Sequence, residues 1–75
     1  MTDRQRCRQQ WRRLITRNGR ATGHYRTTVA QVASATKLSP ARVVELVGAD
    51  YWAFVAESHN ADAPIEEWTI EEDGE

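Results

Sequence analysis

The chain has 75 residues, 40% hydrophobic and 28% charged, with a formal net charge of -1. One domain fits that length, with a core that removes only about 60% of the unfolded chain's surface from water, so large side chains such as Trp11, Trp52, Trp68, Phe54, Tyr25 and Tyr51 must carry much of the burial. The lone cysteine, Cys7, excludes an internal disulfide, and no apolar run reaches signal-peptide or transmembrane length, so the expectation is a soluble, cytoplasmic protein without membrane contact.

The first predicted element is a helix from Asp3 to about Asn18. Cys7, Trp11, Leu14 and Ile15 recur at helical spacing and make one apolar stripe. Thr2 or Asp3 caps its start, and Asn18-Gly19 is the expected left-handed stop. Around that stripe the helix is basic, with Arg6, Arg13, Arg17 and Arg20 on one flank and Arg8 and Arg12 on the other. Gly19 to Thr27 reads as a loop ending in an extended piece, His24-Tyr25-Arg26-Thr27.

Thr28-Val29-Ala30-Gln31 has the form of a capping box and opens a helix of about two turns, Val29 to Thr36, with Val32 and Ala33 on the Val29 face. Lys37-Leu38 is the turn. Ser39-Pro40 restarts the chain as a third helix, since serine caps and proline is preorganised for a first turn. Val43, Leu46 and Val47 form its inner face, and Gly48 ends it.

After Asp50 the pattern changes. Tyr51 to Ala56 is rich in aromatic and β-branched residues, and Trp68-Thr69-Ile70 is a second such run. His59 to Pro64 between them has turn composition, so the pair reads as a β-hairpin. Trp11 is expected to meet Trp52 or Trp68 behind the two short helices. Residues 1–70 form the domain on this reading, and the acidic residues 71–75 form a frayed tail.

The order helix, short strand, helix, turn, helix, hairpin resembles the winged helix-turn-helix family over nearly the whole chain, most sharply in the helix-turn-helix at 29–47. Family sequences place a small residue where the two motif helices cross, and Ala33 stands there. At the turn four residues on they place glycine, where this chain has Lys37; Leu38, Val43 and Val47 then match the family's apolar positions. The resemblance implies an α+β fold of three helices, a short strand and a C-terminal β-hairpin wing. A plain three-helix bundle would show the same helical stripes but no hairpin. Lys37 departs from the family, since a left-handed residue other than glycine costs on the order of 1–2 kcal/mol.

The resemblance also implies DNA binding, with the third helix in the major groove and the hairpin along the backbone. The residues placed to contact double-stranded DNA are Arg26, Thr28, Gln31, Lys37, Ser39, Ala41, Arg42 and Glu45, joined by Arg13 and Arg17 from the first helix. Only arginine to guanine, through Arg42, is a strong base pairing among them. The hairpin side chains Glu57, Asp62, Glu66, Glu67, Glu71 and Glu72 would repel phosphate. The expectation is thus a small transcriptional regulator held mainly through phosphates. The alternative is a winged-helix module whose acidic wing or basic first helix docks a partner protein.

Charge is divided along the chain. Residues 1–40 hold nine basic groups against Asp3, a surplus of +8, and residues 41–75 hold ten acidic groups against Arg42, a surplus of -9. Such halves are expected to meet, within one molecule or between copies in a homodimer or longer assembly. His24 and His59 lack ligand-spaced partners, Cys7 lies on the apolar stripe, and no glycine-rich phosphate loop or separated acid-base pair occurs, so no metal, cofactor or enzyme chemistry is expected.

Overall fold

The first helix begins where its side chains satisfy the free N–H groups of its opening turn. In the computed structural model, which describes residues 2–56 and 63–72, Thr2 Oγ1 accepts from the Gln5 N–H at 3.2 Å and Gln5 Oε1 accepts from the Thr2 N–H at 3.1 Å. Helix α1 then runs Asp3–Thr22, one turn longer than the sequence suggested. Gly19 does not stop it. A Cβ at Gly19 would overlap the ring of Tyr25, so this glycine serves close approach, and the left-handed stop falls at Gly23, φ 82°.

The chain returns as strand β1 (Thr27–Thr28), shorter than the extended piece expected, and enters α2 (Val29–Thr36) through the expected capping box. Ser39 caps α3 (Pro40–Gly48), accepting from the Arg42 N–H at 3.2 Å. Gly48 remains helical and Ala49 is the cap. Strand β2 (Ala53–Ala56) follows, then a single 3-10 turn (Ile65–Glu67) that the sequence did not announce, then β3 (Thr69–Glu72). The expected turn at His59 to Pro64 lies mostly outside the described residues. Glu71 and Glu72 belong to the sheet rather than to a tail, because they pair with Phe54 and Ala53.

The three strands form one antiparallel sheet in the order β1-β3-β2, with Thr27 opposite Ile70 and Val55 also opposite Ile70. The chain therefore adopts the expected α+β class. Its core joins Cys7, Trp11, Leu14 and Ile15 of α1 to Val29, Val32 and Ala33 of α2, Val43, Leu46 and Val47 of α3, and Ala53 and Ile70 of the sheet. Trp68 packs against this cluster half-buried, whereas Trp52 stays outside it, 52% exposed. No helix among the described residues is long and apolar enough to cross a membrane.

The two charged halves meet inside the molecule at one point above all. Asp50, its side chain 2% exposed, accepts from Arg8 Nε and Nη2 at 2.9 and 2.6 Å, and from the Trp52 and Ala53 N–H groups at 2.9 and 3.1 Å. Burial pushes its carboxyl up, but the Trp52 N–H, Arg8 and the Ala53 N–H outweigh that and hold it below its ordinary value of 3.8. Arg12 reaches Glu72 at 3.4 Å, and Arg4 donates to the Ala49 carbonyl at 3.1 Å.

Two stability predictions follow from this packing. Trp11→Ala removes the largest fully buried side chain and should cost about 3–5 kcal/mol, measured by chemical denaturation. Asp50→Asn should cost about 2–3 kcal/mol at neutral pH. Because the folded carboxyl lies below the unfolded one, the stability from Asp50 is present above pH 3.8 and is lost as pH falls through the folded value. The acid limb of the stability profile should therefore flatten in Asp50→Asn; an unchanged limb would remove Asp50 from this position.

Candidate nucleic-acid interface

The polar residues assigned to DNA from the sequence are divided by the fold into caps, one strained turn and an ion pair. Thr28 Oγ1 accepts from the Gln31 N–H at 3.2 Å. Gln31 Oε1 is the acceptor for Thr27 Oγ1 at 2.7 Å and for Asn18 Nδ2 at 3.1 Å. Ser39 holds the start of α3. All three therefore secure helix ends or the α1–α2 junction. Asn18 was missed by the sequence reading, which spent it on a helix stop; its amide also donates to the Arg26 carbonyl at 3.0 Å. Asn18, Arg26, Thr28 and Gln31 share an open cleft with His24 and Thr69.

Lys37 has φ 60° and ψ 29° and is exposed, so a left-handed residue other than glycine makes the turn between α2 and α3. Ala41 and Glu45 are exposed on α3, and Arg42 is half-exposed between them. Arg42 Nη1 meets Glu45 Oε1 at 2.5 Å, with side chains 42% and 69% exposed. Such a pair is worth at most about 0.5 kcal/mol, so a base edge or phosphate can displace Glu45 at small cost. Lys37 and Arg42 are thus the cations that the α2–turn–α3 segment presents, with Arg26 beside the start of α2.

Arg13 and Arg17 do not join this group. At about 100° per residue they lie roughly 120–160° around α1 from Trp11, whereas α2 and α3 pack on the Trp11 side. Sequence periodicity placed them away from the apolar stripe but did not say which side of the molecule α3 would occupy. The acidic 3-10 turn with exposed Glu66 and Glu67 packs beside α2 and α3, and the Trp68 carbonyl accepts from the Val29 N–H at 2.8 Å. Glu57 and Asp62 lie outside the described residues.

Cys7 is fully buried, and burial pushes its thiol up to about 11 despite the opposing pull of Arg42 and Arg6, so it stays protonated as a packing group. Among the described residues no group of three or more His, Cys, Asp or Glu side chains is placed to hold a metal ion. No protein-family model, curated protein or solved structure matches this chain.

Lys37 allows structure and binding to be separated. Lys37→Gly relieves the left-handed lysine and should raise stability by about 0.5–1 kcal/mol. The same change removes a cation and should weaken duplex binding; a variant that gains stability and binds unchanged would take Lys37 out of the interface.

Proposed function

We propose that this chain is a winged helix-turn-helix domain that binds double-stranded DNA chiefly through phosphates, as a small transcriptional regulator. One observation carries the reading: a capped α2–turn–α3 segment, with Lys37 left-handed at the turn, stands on a sheet ordered β1-β3-β2 whose β2 and β3 follow α3 directly. That arrangement matches the connectivity the resemblance implies. It supports α3 as the element offered to the major groove and β2–β3 as the wing.

Base readout is narrow on this reading. With Thr28, Gln31 and Ser39 engaged as caps and Ala41 apolar, Arg42 is the side chain able to make a bidentate contact to guanine. Affinity then comes from Lys37, Arg42 and Arg26 against phosphates, opposed by Glu45, Glu66 and Glu67. Weak specificity and strong salt dependence are the signature.

A second reading has its own observation. Tyr51 and Trp52 just before β2 and Phe54 within it are 82%, 52% and 45% exposed, and β2 is an edge strand whose residues Ala53–Ala56 carry no charge. An uncharged edge of this kind is a template for strand pairing, and a second copy of the chain is the occupant it fits. Such a homodimer would present two α3 helices to one duplex.

Titration of duplex DNA at two salt concentrations tests the main reading. Binding should weaken steeply with salt, and Arg42→Ala should cost about 1–3 kcal/mol at a preferred sequence and less at random DNA. Absence of binding to any duplex at low salt would overturn it. Phe54→Glu, with mass measured by sedimentation, decides the dimer: a wild-type monomer, or an unchanged dimer in the variant, sinks that second reading.

A further inference from the structure

Helix α1 carries seven arginines from Arg4 to Arg20 and no acidic residue after Asp3. Four of them have partners: Arg4 with the Ala49 carbonyl, Arg6 with Asp3, Arg8 with Asp50 and Arg12 with Glu72. Arg13, Arg17 and Arg20 have no ion pair among the described residues, and all three are exposed. The division follows the helix. The paired arginines, Arg6 apart, are those that reach the α3–β2 bend and the end of β3, while the unpaired three lie roughly 120–180° around the axis from buried Trp11.

These three side chains and Thr16 line an open trough of about 530 Å³ together with Arg12. From Arg13 to Arg20 the rail is about 10 Å long, straight, and backed by a rigid helix that the core holds from behind. Cations spaced a turn apart on one line, with a hydroxyl between them, fit a linear array of phosphates. Scattered carboxylates on another protein fit it less well. The described acids of a second copy that lack partners, Glu66, Glu67 and Glu71, are split between a 3-10 turn and a strand. On the helix wheel the rail lies on the side of α1 away from Trp11, whereas α2 and α3 pack on the Trp11 side.

We propose that the outer face of α1 is a second phosphate-binding surface, which takes the backbone of a second DNA duplex while α3 faces the first, so that one domain bridges two duplexes. This rests on the reading of α2–α3 as a duplex-binding face. Arg13, Arg17 and Arg20 supply the contacts to the second duplex, and Thr16 adds a hydroxyl donor. Because these contacts are to phosphate alone, the second duplex is held without regard to sequence.

The test uses the full chain, a random-sequence duplex fixed to beads and a labelled free duplex at low salt. Wild-type protein should bind the fixed duplex and retain the free one. The variant Arg13→Gln/Arg17→Gln/Arg20→Gln should melt no lower than wild type, since it only relieves like-charge crowding on a solvent face. It should still bind the fixed duplex, yet retain the free one about tenfold less, and the salt slope of bridging should fall by roughly 2–3. Equal bridging by the variant, or wild-type binding without any bridging, overturns the proposal. So does bridging that tracks a dimer in solution which the variant dissolves, because contact between copies then explains it. Failure of the α2–α3 reading looks different: the glutamine variant would lose all DNA while Lys37→Ala/Arg42→Ala bound normally, which would support the rail as the DNA contact and remove α3 from it.

Discussion

A buried carboxylate with four hydrogen bonds sets the geometry of this small domain. Asp50 lies just past the Ala49 cap of α3, accepts from the Trp52 and Ala53 N–H groups of the bend that follows, and grips the Arg8 guanidinium on α1. A carboxylate 2% exposed would be costly alone, and its four hydrogen bonds from Arg8 and the bend at Trp52–Ala53 are what make the site tolerable. The α3–β2 connection is thereby tied at one point to Arg8 of α1, which lies 42 residues earlier in the chain. The direction in which β2 leaves α3 follows from it, and with it the register that puts Val55 opposite Ile70 over the core.

The same contact sorts the charge of α1. Its arginines fall on several sides of one helix, and the fold neutralises those that face the acidic half of the chain. Arg8 and Arg12 are spent on Asp50 and Glu72, which draws the two charged halves together within one molecule. What remains is a cationic line on the far side. The domain therefore carries two cationic surfaces, a mixed-charge α2–α3 segment and the arginines on the solvent side of α1.

For the proposed DNA-binding role, the economy of the α2–α3 segment is the limiting fact. A helix of eight residues and one of nine cannot spare many polar side chains, because each end needs a cap. Thr28, Gln31 and Ser39 are used that way. A domain this small then relies on arginine and lysine for affinity, with little left over for reading bases.

The sequence by itself determined the local elements: both capping boxes' polar partners are three residues apart, proline follows its serine cap, and apolar residues keep helical spacing until Asp50, where alternation begins. These signals are short-range and survive in any context, which is why α2 and the inner face of α3 were legible almost to the residue. It also held the charge division. Only the tertiary structure decided that Gly19 lies within α1 under the Tyr25 ring, that Glu71 and Glu72 extend β3, that Asp50 is a buried tie and not one more surface acid, and that Arg8 and Arg12 find acidic partners while Arg13 and Arg17 find none among the described residues. Each of these depends on which distant segment comes alongside, and a carboxylate or guanidinium looks the same in sequence whether water or a partner from another element will meet it.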